Sequence, residues 1–134
     1  MRKWRIEYRP KYQRTPISFW VHRHLDGDVW SRCEKFDPPL PEAIPCKGYP
    51  CLVVNALGTE LEFASIQEAE HFLEVISRKN LPTTLQLSRQ RTETLGPNRH
   101  WLSRLPAGLK PWSKRQKIIP IMEAGVRALK DVYR

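Results

Sequence analysis

Between Cys51 and Thr84 the sequence CLVVNALGTELEFASIQEAEHFLEVISRKNLPTT admits few folds, because each local signal constrains the next. Leu52-Val53-Val54 is apolar and β-branched, and Thr59, Leu61 and Phe63 alternate with Glu60 and Glu62, the period of a half-buried strand. Ala56-Leu57-Gly58 joins them in a short turn, with Gly58 free to take positive φ. Ser65 stands three residues before Glu68, the capping-box spacing that opens a helix. Ile66, Ala69, Phe72, Leu73 and Ile76 then form one apolar stripe at helical spacing. Arg78 and Lys79 suit the negative end of the helix dipole, Asn80 suits the residue after it, and Pro82 forbids continuation. The stretch predicts a hairpin over 52–63 feeding a helix over 66–79. Neither is stable alone in water, so the helix stripe must pack on the sheet.

The flanking segments extend this plan. Trp4, Ile6 and Tyr8 alternate with Arg5, Glu7 and Arg9, which predicts a strand over 3–9. The β-branched and aromatic run from Ile17 to His22 predicts a strand over 17–23, with Asp26-Gly27 turning the chain into a return strand over 28–34. Pro38, Pro39, Pro41, Pro45 and Pro50 make 37–50 an extended crossing loop. Beyond Pro82 the pattern turns helical. Helices are predicted over 84–95, capped by Thr83 or Thr84, and over 98–105, capped by Asn98. A last helix over 114–133 opens with a second capping box, Ser113 and Gln116, and is kinked at Pro120. Strands first and helices afterwards indicate an α+β fold. The expectation is one domain over 1–134, an antiparallel sheet of four to five strands packed by the 66–79 helix and the C-terminal helices.

A chain of 134 residues with five Trp, four Tyr and four Phe has the length and the bulk for one buried core. No apolar run approaches the roughly 20 residues that span a bilayer, and no apolar stretch follows the basic N-terminus as in a secretory signal. With no signal and an odd count of three Cys, reduced thiols in a cytoplasmic protein are expected.

The net charge of +9 has a location. From Arg78 to Lys117 there are ten basic residues (Arg78, Lys79, Arg89, Arg91, Arg99, Arg104, Lys110, Lys114, Arg115 and Lys117) against one acid, Glu93, while the remainder carries 13 of each sign. Soluble surfaces ordinarily mix their signs, so a stretch this one-sided points to an anionic partner. Nucleic acid, DNA or RNA, is the leading class: Lys and Arg bind phosphates by counterion release, while Gln86, Gln90 and Asn98 suit base edges. A helix-turn-helix made of the 66–79 helix, Asn80 to Thr83 and the 84–95 helix has the right connection length, but its first helix is long and its turn lacks Gly. An ordinary helix pair on a sheet fits better. The other expectation for the same surface is an adaptor, inhibitor or assembly subunit docking on an acidic protein. The apolar stripe of the last helix covers this domain's own sheet or, in a homodimer, a second copy.

Other constellations are thinner. His22 and His24 would share a strand face, and Cys46 and Cys51 stand at wide zinc-ligand spacing with Cys33 as a fifth candidate, but tight paired knuckles are lacking. A cysteine nucleophile would need His22, His24, His71 or His100 beside it, which sequence alone does not place. Asp26 and Asp28 read as a solvated turn, Glu60 and Glu62 as a solvated strand face, and His71 as a packed helix residue. Six scattered Gly form no phosphate-cradling loop, and no cofactor is implied. A non-catalytic binding protein is the expectation.

Overall fold

A computed structural model describes residues 3–12, 16–24, 36–37, 39–79 and 105–133. Their elements are β1 (Trp4–Arg9), α1 (Pro16–Val21), β2 (Arg23–His24), β3 (Phe36–Asp37), β4 (Tyr49–Ala56), β5 (Thr59–Phe63), α2 (Ile66–Ile76), a 3-10 turn (Ala107–Leu109) and α3 (Trp112–Val132). The class is α+β. Its main sheet has three antiparallel strands in the order β1-β4-β5, while β2 and β3 form a separate ladder through Arg23↔Asp37 and His24↔Phe36.

Among the described residues the sheet is therefore smaller than the expected four to five strands, because 17–23 does not join it. Pro16 supplies the first helical residue, a position that suits its fixed φ and missing N–H. His22 N–H then reaches Ser18 C=O at 3.0 Å, while Ile17 and Ser18 turn inward. Burial and a buried polar partner outweigh the β-propensity of Ile17-Ser18-Phe19-Trp20-Val21. The expected strand over 28–34 and the helix over 84–95 lie outside the described residues, as does the 98–105 helix save for Leu105.

The β4–β5 hairpin has the expected form, pairing Leu52↔Phe63, Val54↔Leu61 and Ala56↔Thr59. Its two-residue turn holds Leu57 at φ 53° and Gly58 at φ 94°, the pair of positive values a type I′ turn requires. The Asn55 side-chain oxygen accepts the Gly58 N–H at 2.9 Å. Before β4, Gly48 has φ +102°, and a Cβ there would lie 2.5 Å from the Arg9 carbonyl oxygen, so only glycine lets β4 enter beside β1.

Register divides the sheet into two faces. On one, Trp4 and Ile6 of β1 lie level with Val54 and Leu52, and this face meets the helices. Ala69, Phe72, Val75 and Ile76 from α2 and Ile118, Met122, Val126 and Leu129 from α3 complete the core. A Cβ on Gly125 would come within 2.9 Å of Leu52 Cδ1, so the absence of a side chain lets α3 lie close on β4. On the other face Arg5 and Glu7 flank Val53 and Cys51, and Glu62 flanks Val53 from β5. Arg5 reaches Glu60 at 3.1 Å and Arg9 reaches Glu62 at 2.8 Å, so ion pairs cross over the central strand. Val53 and Cys51 are buried beneath these side chains.

Both long helices depart from expectation at their ends. α2 stops at Ile76, with Ser77 as its C-cap. α3 opens at Trp112 behind Pro111 with no side-chain cap, so Ser113 sits inside the helix and the predicted second capping box does not form. The helix runs through exposed Pro120 to Val132 as one element, its exposed side leaving the freed carbonyl to water. Among the described residues no helix is long and apolar enough to cross a membrane.

Candidate functional site

Two places concentrate polar chemistry. The first is buried. Ser65 caps α2, its Oγ accepting the Glu68 N–H at 3.1 Å. In a capping box the Glu carboxylate would return to the cap's own amide. Here it turns into the protein instead, where Oε1 accepts Ser18 Oγ–H at 2.5 Å and Oε2 accepts Ser65 Oγ–H at 2.7 Å and Tyr12 Oη–H at 2.9 Å. His22 Nε2 lies 2.9 Å from Ser65 Oγ and 3.3 Å from Glu68 Oε2. With Ser65 Oγ–H directed at Glu68, the consistent tautomer of His22 carries its hydrogen on Nε2 and donates. Glu68 and His22 are both 0 % exposed. Burial alone would raise the Glu68 carboxyl, but hydrogen bonds from His22, Ser18, Ser65 and Tyr12 outweigh it and hold the group below its ordinary value.

A serine, a histidine and a carboxylate in contact invite a catalytic reading, which the geometry denies. Ser65 Oγ and Glu68 Oε2 meet the same histidine nitrogen, whereas a relay puts acid and nucleophile on opposite nitrogens. Ser18, His22, Ser65 and Glu68 are all closed to solvent. The cluster is a fastening: one helix-start carboxylate ties Tyr12 after β1, Ser18 of α1 and His22 just beyond it to α2. The sequence signalled Ser65 and Glu68 through their capping-box spacing but gave no sign of their distant partners.

The second place is a basic corner. Arg115 projects from the first turn of α3 and is 3 % exposed. Its Nε donates to Lys110 C=O at 2.7 Å; one terminal nitrogen donates to Ile76 C=O at 3.0 Å and to Arg78 C=O, and the other to Lys79 C=O at 2.9 Å. The guanidinium thus caps the open carbonyls at the end of α2, where the dipole is negative, and stacks 5.0 Å from the Trp112 ring. Burial lowers its pKa, yet an arginine stays charged. Arg115 is therefore an internal brace rather than a surface cation. Its position three residues before Ile118 continues the buried stripe backwards, a signal legible in the sequence.

By gathering these carbonyls, Arg115 brings together the residues that own them. Arg78, Lys79 and Lys110 meet at one corner with Lys114 beside the brace and Lys117 one turn further on. Arg78 pairs with Glu74 at 2.9 Å. For Lys79, Lys110, Lys114 and Lys117 no carboxylate partner occurs among the described residues. Lys114 lies in the first turn of α3, which contains no acid, and so stands at the positive end of that helix's dipole. Arg89, Arg91, Arg99 and Arg104 lie outside the described residues, as does the second helix of a helix-turn-helix.

The remaining candidates separate. His22 is committed to the buried cluster at the bend after α1, and His24 lies in β2, so the two do not share a strand face. Cys46 is exposed in a turn; Cys51 is buried, and desolvation pushes its thiol up to about 11, which makes it a poor nucleophile. Burial holds His71 down at about 4, hence neutral at neutral pH. Glu60 and Glu62 belong to the ion-pair face. Among the described residues no three His, Cys, Asp or Glu side chains converge to hold a metal ion. Cys33, His100, Asp26 and Asp28 lie outside them. Comparison with known protein families, curated proteins and solved structures finds no match.

Proposed function

We propose that this chain is a non-catalytic nucleic-acid-binding protein of the cytoplasm that holds a phosphate backbone on the corner where the end of α2 meets the start of α3. The observation that supports this reading is that Arg115 joins the backbones of Lys79 and Lys110 to the start of α3, where exposed Lys114 and Lys117 share a helix face. A cation in the first turn of a helix is unfavourable by on the order of 0.3–1 kcal/mol, and Lys114 stands there in α3. Lys79, Lys110, Lys114 and Lys117 have no carboxylate partner among the described residues, which favours an anion brought from outside.

Fluorescence anisotropy with a labelled oligonucleotide tests the reading. Four phosphate contacts would weaken binding by about a hundredfold between about 50 and about 200 mM salt. Lys114→Glu with Lys117→Glu should lower affinity and flatten that salt dependence by about two contacts, without lowering thermal stability. Binding indifferent to salt, or retention of the double variant on heparin at the wild-type position, refutes it. A stoichiometric acidic protein purifying with the chain, with no oligonucleotide bound, would move the assignment to the adaptor class.

A further inference from the structure

The chain has four tyrosines, Tyr8, Tyr12, Tyr49 and Tyr133, and although they come from four separate segments they gather at one end of the sheet. Tyr8 in β1 lies level with Pro50, next to Tyr49 at the start of β4. The Tyr12 and Tyr49 rings meet edge to face with centroids 6.3 Å apart. Tyr133 follows the last turn of α3, and its phenol is raised by burial and then by the nearby Tyr49 and Tyr8 hydroxyls. Tyr12 and Tyr49 are partly buried supports, whereas Tyr8 and Tyr133 are each 39 % exposed. With Leu57 they are the only large apolar side chains exposed among the described residues.

Cations border these rings. Lys47 Nζ lies 5.5 Å from the centroid of Tyr8. Lys11 is exposed, and with Arg9, Tyr12 and Tyr49 it lines a shallow recess. That recess encloses about 10 Å³, room for about one water, so it is not a small-molecule pocket. The useful feature is the pair of exposed rings, Tyr8 and Tyr133, which lie outside that recess, with Lys47 over the Tyr8 ring. Every nucleobase offers a π-face to such rings, and the neighbouring phosphates suit the lysines. In a duplex those base faces are already stacked on one another and closed to a side chain.

We infer that the tyrosine end is a second contact surface, one for unpaired nucleotides, where Tyr8 and Tyr133 stack on bases and Lys47 and Lys11 meet the adjoining phosphates. The preferred ligand is then a single strand rather than a duplex. This rests on the nucleic-acid reading above and narrows its substrate class. The surface lies at the opposite end of α3 from the basic corner, a helix of 21 residues and so about 30 Å away, which lets the two be tested separately.

The probe is a short fluorescein-labelled oligothymidylate, alone and annealed to its complement. The single strand should bind about tenfold or more tighter than the duplex. Tyr8→Leu with Tyr133→Leu should cut single-strand affinity by about tenfold or more with the salt slope unchanged, and the matching Phe pair should retain it. Ring resonances of the tyrosines in the wild-type protein should shift when the oligothymidylate is added, a measurement independent of how any variant folds. Equal binding of duplex, full affinity in the Leu pair, or unmoved tyrosine resonances overturns the inference. If the Lys114→Glu, Lys117→Glu variant still loses affinity in that case, the corner survives and only the tyrosine surface falls. No binding by either strand form fells both readings. Tyrosine shifts induced by a proline-rich peptide but not by the oligothymidylate would overturn it in favour of a protein partner.

Discussion

Replacing Glu68 by Gln removes one negative charge and almost no volume, which makes it the sharpest test of the buried cluster. The carboxylate accepts Ser18, Ser65 and Tyr12 at 2.5, 2.7 and 2.9 Å and faces His22 Nε2 at 3.3 Å. An amide keeps one oxygen for these donors and turns an NH₂ toward the rest. The Tyr12 hydroxyl can rotate to accept, but Ser65 Oγ already receives Glu68 N–H and His22, so relaxation is partial. Turning three charge-assisted bonds into neutral ones forfeits about 1 kcal/mol apiece, and the saved desolvation of the carboxylate returns some of it. The expected loss is about 2–3 kcal/mol, or on the order of 10 °C in melting temperature for a chain of this size.

The pH dependence supplies an internal control. Because the folded-state pKa of Glu68 is depressed, its contribution is complete above the ordinary carboxylate range and is lost as pH falls through the folded value. Urea denaturation of both proteins from neutral pH downward should show wild type losing its advantage at up to about 1.4 kcal/mol per pH unit, the curves converging in acid. The variant lacks only this titratable group, so the difference curve isolates it. An E68Q protein as stable as wild type at pH 7, or a gap that persists unchanged in acid, would refute the reasoning.

Arg115→Met should cost about 2–4 kcal/mol in urea melts, since it strips the carbonyls of Ile76, Arg78, Lys79 and Lys110 of their donor; Arg115→Lys should rescue only a fraction, because a point ammonium lacks the planar fork. Leu57→Asn should stabilise the protein by up to about 1 kcal/mol in thermal melts, asparagine being easier than leucine at the φ of 53° that the turn demands. Iodoacetamide at neutral pH followed by mass spectrometry should modify exposed Cys46 in the native protein and reach buried Cys51 only on unfolding.

Legibility in the sequence followed the range of the interactions. The 52–63 hairpin, the Ser65 cap and the stripes of α2 and α3 are local patterns, and each was readable from spacing. Residues 17–21 misled because their helix is decided by what Ile17 and Ser18 touch, and a β-branched, aromatic run does not disclose that Ser18 binds a carboxylate fifty positions away. Ser113 misled because capping chemistry was available at that spacing, while the helix starts behind Pro111, two residues earlier. The basic stretch was visible as composition, yet composition does not separate Arg115, which braces the interior, from Lys114 beside it, which faces water.

The arginines and glutamates across the far side of the sheet have a consequence for where a polyanion can settle. Exposed ion pairs of this kind add little stability, so their effect there is mainly insulation: they keep Val53 and Cys51 dry without a further layer of helices. They also leave no surplus cation. Arg5 and Arg9 meet Glu7, Glu60 and Glu62, two positive charges against three negative, which gives an approaching phosphate chain no reason to stop. The middle of that face, over Val53, is thus closed to the very partner that the rest of the molecule's charge attracts.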